Sequence, residues 1–423
     1  MNRREFLKNT SVTAVSAAAL FAGTERIFAA GTEKVKVALI GCGGRGTGAL
    51  KDFKEAAAHL GIGVEVTALA DFFMNRAKEA ARQFEVSEDL CMEGANAYKK
   101  AIATSADVVL LVTPPNFRPV HFEAAVKAGK HVFMEKPVAV DPVGARKIME
   151  MGEIAKQKNL VVVAGTQRRH QDSYLKTYQA IQKNAIGAIR GGEVWWCGGA
   201  LWKQDQQPGE SDASYMVRNW VSFAEMSGDH IVEQHVHNID VANWFLGRTP
   251  ETALGFGGRA RRQTGNQFDF FSVDFDYGEG VHIHSMCRQV DGTYSRVSEF
   301  FTGTDGATWG SGPGKGKEGF ARQVEIPEIA YVGNPYVQEH VDLLDCLKNG
   351  KPLNEAAAVA SSTLTGIMGR IASYTGQLVR WKDLMDPTTG SPWYNLELKP
   401  SALDFEAGEV TAPADNVVPV PGK

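Results

Sequence analysis

The sequence predicts an α/β chain in which a parallel-sheet domain precedes a second α/β domain, and three observations carry that expectation. Four short apolar runs, residues 33–40, 64–70, 107–113 and 131–134, alternate with stretches of helical composition, the pattern of strands joined by crossover helices. The first run ends in Gly41-Cys42-Gly43-Gly44-Arg45-Gly46, a glycine turn placed where strand becomes helix. Much later, residues 268–277 and 281–288 alternate around Gly278-Glu279-Gly280, a hairpin of a different, antiparallel sheet. A chain of 423 residues that is 43% hydrophobic is long enough for two cores.

The elements follow in order. Residues 1–30 carry Arg3-Arg4-Glu5-Phe6-Leu7-Lys8, a short Ala/Val/Ser-rich run and Phe28-Ala29-Ala30. The run is too short for stable membrane insertion and reads as a cleaved export signal of the twin-arginine kind. In the glycine turn, Gly41 permits the tight bend, Gly43 lets backbone approach a pyrophosphate, and Gly46 allows close packing of the helix at 47–60, whose N-terminus faces the phosphates. The strand at 64–70 ends at Asp71, spaced as a ribose-binding acid, which favours NAD over NADP; its alternative role is to cap the helix at 72–84. The strand at 107–113 stops at Pro114-Pro115-Asn116, a helix follows at 122–128, and the strand at 131–134 runs into Glu135-Lys136-Pro137. Proline holds Lys136 extended at the carboxyl end of that strand, the edge where open parallel sheets bind ligands.

With the glycine motif, Thr113-Pro114, His121 and Glu135-Lys136-Pro137 in this order, the chain resembles the glucose-fructose oxidoreductase / inositol dehydrogenase family, Gfo/Idh/MocA, over residues 33–380. The resemblance implies a Rossmann domain at 33–155, a substrate and oligomerisation domain with an open, mostly antiparallel sheet at 156–380, and an extension at 381–423. It implies NAD held by Gly41, Gly43, Gly44, Arg45, Gly46, Asp71, Thr113, Pro114, Asn116, His121, Glu135 and Lys136. It also implies a sugar or cyclitol substrate and a homo-oligomer. Gly165-Thr166-Gln167-Arg168-Arg169 matches the family's Gly-x-x-x-Arg segment, and Glu233 to His237 its acid-x-x-x-His helix. Here Glu233 stands where Asp is common and His235 where Gly is common.

Oxidising a secondary alcohol needs a base for the hydroxyl proton. His237 is the candidate base, because an imidazole titrates near neutrality, and Lys136 the group that hydrogen-bonds the reacting oxygen. Glu233 lies four residues before His237 on one helical face and is expected to orient it. His235 lies off that face, so it reaches the pocket only if the helix is irregular. Arg169, His170, Arg218, Trp220 and His235 are the candidate substrate contacts, with residues 202–220 read as a covering loop. His230, Glu233, His235 and His237 are the residues a metal would need, yet their spacing is not that of a one-faced site, and no metal is expected.

The net charge of −4 and pI near 6.2 give no reason to expect nucleic acid or an anionic membrane as partner. Five scattered cysteines without CxxC spacing suggest neither a zinc ribbon nor a disulfide framework. Residues 336–349 and 354–375 read as late helices, and 402–423 as an extended or disordered tail. Three functions fit: a dehydrogenase that recycles a tightly held NAD, a glycosidase-like enzyme working through a transient keto-sugar, and a non-catalytic NAD or carbohydrate sensor. The presence of Lys136, Glu233 and His237 together argues against the sensor.

Overall fold

The computed structural model describes residues 34–313, 320 and 322–422; the export signal expected at 1–30 lies outside them. Strands β1 (Lys34–Ile40), β2 (Gly63–Asp71), β3 (Cys91–Glu93), β4 (Val108–Leu111), β5 (His131–Met134) and β6 (Val162–Ala164) form a sheet in the order β3-β2-β1-β4-β5-β6. Every pairing in it is parallel. All four residues of β4 are fully buried, as a central strand covered on both faces requires. The order reverses between β1 and β4, and the crevice beyond their carboxyl ends is the binding position in such folds.

Helices α1 (Gly44–His59), α2 (Met74–Gln83), α3 (Ala97–Ile102), α4 (Arg118–Lys127) and α5 (Pro142–Gln157) make the crossovers. The fourth begins four residues ahead of its sequence-based start, because Pro119 sits in its first turn, where a missing N–H costs nothing.

The second sheet contains β7 (Ile189–Gly198), β8 (Thr252–Gly258), β9 (Phe270–Asp276), β10 (His282–Gln289), β11 (Arg296–Gly303), β12 (Ala307–Trp309) and β13 (Val379–Arg380), in the order β12-β11-β7-β10-β9-β8-β13. Only β7 and β10 pair in parallel, so the sheet is mostly antiparallel. Between β6 and β8 the chain forms α6 (Asp172–Gln182), α7 (Asp212–Arg218), α8 (Ala224–Ser227), α9 (His230–Glu233) and α10 (Val236–Leu246). The stretch read as one covering loop therefore contains a helical turn, α7, capped by the Ser211 side chain.

Two late helices, α11 (Pro335–Asn349) and α12 (Ala356–Thr375), return to the first sheet. Val337, Leu343 and Leu344 join the apolar core under α1, while Ala356, Val359 and Ala360 join the one under α5. The tail expected to be extended or disordered is packed on the molecule and includes a helix. A short helix at Ala402–Ala407 is closed by a Ser401/Asp404 capping box, and Phe405 is buried against Phe117 and Phe72. Its signal was local, a serine three residues before an aspartate, and the surrounding Pro/Ala/Val composition masked it. No helix among the described residues is long and apolar enough to cross a membrane, and all five cysteines are free.

Candidate active site

The glycine turn places the N-terminus of α1 at the switch crevice. Gly41 has φ +100°, and a Cβ there would lie 2.6 Å from the Val112 carbonyl; at Gly46 it would lie 1.8 Å from the Gly41 oxygen. Neither position tolerates a side chain. At Gly43 and Gly44 a Cβ would meet nothing within 4 Å. That open face lies before a helix whose first turn has no side-chain cap and no acidic residue, so its orphan N–H groups are left for an anion.

Asp71, at the end of β2, is buried; its Oδ2 accepts from the Cys42 N–H at 2.7 Å and its Oδ1 from the Phe73 N–H at 2.9 Å. Burial pushes its carboxyl up, and these two donors oppose that shift. Asp71, Thr113, Phe117, His121 and Tyr98 line one cleft. His121 is stacked between Tyr98 and Phe117, and burial drives its imidazole down to about 3. The residues present thus fit a dinucleotide: amides for the phosphates, a carboxylate for ribose hydroxyls and an aromatic-walled slot for the base.

A second cavity of about 250 Å³ adjoins the first through Thr113 and is lined by Arg45, Glu135, Lys136, Trp220, Glu233 and His237, together with Gln167 and Tyr336. Lys136 donates from Nζ to the Glu233 carbonyl at 2.6 Å and to Glu233 Oε1 at 3.1 Å. An ammonium has three N–H groups, so one remains for a group in the cavity. His237 is buried under Trp196, the rings stacked at 5.7 Å, and its Nδ1 has no hydrogen-bond partner. Burial, reinforced by the Lys136 charge, holds this imidazole well below its ordinary pKa and therefore neutral.

Glu233 does not orient His237, contrary to the expectation from their spacing. The helix is broken: α9 ends at Glu233, His235 caps α10, and the Glu233 carboxylate turns to Lys136. The break does not bring His235 into the pocket either. It is fully buried with Nε2 2.8 Å from Ser285 Oγ on β10, and it does not line the cavity, contrary to its expected role as a substrate contact. Arg169 forms a two-pronged ion pair with Asp240 at 2.8 and 2.9 Å. Arg218 is engaged by Glu210 and the Asp205 carbonyl, and neither arginine lines the cavity. His170 is likewise internal, held between Asp342 at 2.6 Å and Glu355 at 3.3 Å. Of the five candidate substrate contacts, Trp220 is the one that lines the cavity.

Asn116 also stands apart from both clefts: its Nδ2 donates to the carbonyls of Glu225 and Pro400, at 2.8 and 2.9 Å. Pro114 precedes the single turn at Pro115–Phe117 that carries the chain past the cavity. Arg45 pairs with Glu135 at 2.5 Å, Asp52 at 3.2 Å and Glu339 at 3.4 Å, tying the glycine turn to β5 and α11. Gly165 makes room for this, since a Cβ there would lie 2.5 Å from the Glu135 carboxylate.

Sequence reasoning missed Arg118, whose fully buried guanidinium donates to the carbonyls of Leu111, Thr113 and Glu135 at 2.6, 2.6 and 3.0 Å. It braces the ends of β4 and β5, the floor of both clefts. A cation in the first turn of a helix opposes the dipole, and that misfit was the available signal. Among the described residues no group of three His, Cys, Asp or Glu side chains is placed to hold a metal ion.

Two family models match the chain: "Oxidoreductase family, NAD-binding Rossmann fold" over residues 35–166, and "GFO/IDH/MocA C-terminal domain" over 174–308. Inositol 2-dehydrogenase of Burkholderia lata is 26% identical over 59% of this chain and 66% of its own length. The 2,7-anhydro-N-acetylneuraminate hydratase of Escherichia coli is 25% identical over 40% of this chain and 43% of its own. The chain spans about half the length of the first curated relatives it matches. An aldose-aldose oxidoreductase structure from Caulobacter crescentus superposes with a TM-score of 0.64 at 16% identity, covering 82% of this chain and 99% of that one; the likeness is one of fold.

Proposed function

Because the chain belongs to the Gfo/Idh/MocA oxidoreductase family and carries its NAD-binding Rossmann fold, we propose that it oxidises or reduces a secondary hydroxyl carbon of a sugar, glycoside or cyclitol. The observation that carries the reading is the pairing of Lys136, with an N–H to spare, and a neutral His237 in one cavity at the carboxyl edge of the parallel sheet. NAD, when bound, supplies the hydride acceptor or donor. His237 takes the hydroxyl proton, its neutral form being the competent one. Lys136 donates to the reacting oxygen and favours its alkoxide character, while Glu233 fixes where the ammonium points. Trp220 and Tyr336 offer aromatic faces to the C–H face of a ring.

We further propose that NAD is retained and regenerated in place. Residues 1–30 resemble a twin-arginine signal, and an exported protein has no nucleotide pool to exchange with, so each oxidation must be matched by a reduction on the same molecule. The C-terminal segment supports retention: Glu406 accepts from Tyr98 Oη at 2.8 Å, and Phe405 packs on Phe72, both on residues of the adenosine cleft. One relative is named a hydratase, which favours a second reading, a cycle through a keto-sugar without net redox change.

The test is to purify the protein without added nucleotide, denature it, identify what is released by mass spectrometry, and incubate native protein with glycosides and cyclitols. Stoichiometric NAD with keto-sugar product supports the first reading, and free sugar without net redox the second. A protein with no bound or bindable nucleotide overturns both.

A further inference from the structure

A separate cavity of about 220 Å³ lies on the other side of the Trp220–Ser222 turn, between the loop after β7, the loop after β8 and the end of β10. Lys203, Arg261 and Arg262 line it, and among the described residues none of the three forms an ion pair. The carboxylate in the lining, Asp291, accepts from the Ala200 N–H at 2.9 Å. Asp269 is buried outside the lining and accepts from the backbone N–H groups of Ala260, Arg261 and Arg262 at 2.7 to 2.8 Å. Arg262 Nε is buried without a partner. Arg262 Nη2 donates to Gln289 Oε1 and Arg261 Nη1 to the Asp291 carbonyl at 3.1 Å, so neither guanidinium is matched by a carboxylate; a net positive, partly enclosed recess of this kind is arranged for an anion. Trp202, with 47% of its surface exposed, gives the same recess an aromatic face.

The recess is coupled to the catalytic cavity by position. Ser222 lines one and Trp220 the other, two residues and therefore no more than about 8 Å of chain apart. Gln289 donates to the Gln234 side chain at 2.8 Å, and Gln234 directly follows Glu233.

We propose that this recess is a subsite for a carboxylate-bearing sugar unit joined to the ring that reacts over Lys136 and His237, so that the substrate is an acidic glycoside. The proposal rests on the carbohydrate reading of the main site for the identity of the neighbouring ring. Arg261 and Arg262 take the carboxylate, Trp202 stacks on the ring face, and Lys203 supplies long-range attraction.

The test is calorimetric binding of two probes to the intact protein: a disaccharide ending in glucuronic acid, and its carboxyl-reduced neutral counterpart. The acidic disaccharide is expected to bind about tenfold more tightly at low salt, with the margin shrinking as salt is raised. Arg261→Gln with Arg262→Gln should abolish the preference, and Lys203→Gln, on an exposed loop, should reduce it without touching the fold. Trp202→Ala should weaken both probes. Equal affinity for the two probes, or a preference that survives the double arginine substitution, overturns the proposal. Keto-sugar formation is read separately, so binding without turnover counts against the oxidoreductase reading and leaves the subsite standing.

Discussion

His237 and His170 are both buried imidazoles, and their neighbours drive them in opposite directions. His237 meets Lys136 and apolar surface and is held neutral; Lys136→Met should lower kcat about 10²- to 10⁴-fold while the nucleotide content on denaturation stays at the wild-type level. A loss of nucleotide in step with activity would make Lys136 a cofactor-binding residue only. His170 sits between the carboxylates of Asp342 and Glu355, which overcome its desolvation and raise it to about 10. Between its ordinary value of about 6.5 and about 10, folded His170 keeps a proton that the unfolded chain has lost. The contribution is therefore complete below pH 6.5 and is lost as pH rises, with a limiting slope of about 1.4 kcal/mol per unit. Urea unfolding at pH 6 and pH 9 should show that loss, and His170→Gln should flatten it; an equal pH dependence in the variant would assign the effect elsewhere. Lys136 and Asp71 were legible in the sequence because each is fixed by a strand end a few residues away. Arg118 showed only as a misplaced charge in a first helical turn, and Tyr336 and the true partners of Arg169 and His170 were not legible, since they lie far along the chain.

At the scale of elements, strand order and crossovers follow from local patterning, whereas the break between α9 and α10 does not. Helical spacing put Glu233 beside His237, but tertiary contacts won: the Glu233 backbone and side chain both bind Lys136, and His235 is drawn to Ser285 on β10. The C-terminal segment makes the same point at greater length. It is pinned to the Rossmann domain by Asp141, which accepts from the Leu398 N–H at 3.0 Å, and by Glu406 on Tyr98. On the second domain, Asp212 accepts from the Ala412 N–H at 2.9 Å, and Asp415 from the Gly265 N–H at 2.6 Å. Removing the Phe405 ring deletes its contacts with Phe117 and Phe72 and leaves a cavity beside the adenosine cleft, a change typically costing about 3–5 kcal/mol locally. Phe405→Ala should consequently release NAD at least about tenfold faster on gel filtration, and retention equal to wild type would exclude the segment as a strap.

The whole molecule departs most from a two-bead reading of the sequence. One face of the second sheet is covered by α10 and α12, while the alternation along β8 leaves Leu254 and Phe256, the latter 67% exposed, on the other. This apolar surface supports the proposal of a homo-oligomer: Phe256→Glu should shift the mass seen by light scattering towards one chain, and an unchanged mass would remove that face from the interface. Within one chain, α11 and α12 complete the cores of the first sheet and the C-terminal strap crosses back over it. The two domains should consequently lose structure together rather than in sequence. All 8 tryptophans, Trp195 to Trp393, lie beyond residue 190, so their fluorescence reports the second domain and the segment that follows it, while release of bound NAD reports the first. Denaturant should move both signals with a single midpoint, the signature of one cooperative unit. If NAD left well before tryptophan emission changed, the returning helices would be accessories docked on an independent Rossmann domain. Excess NAD distinguishes the cases further, because a ligand of the folded state raises the stability of everything that unfolds with its site. Coupling requires the tryptophan transition to move up with NAD; independence leaves it where it was.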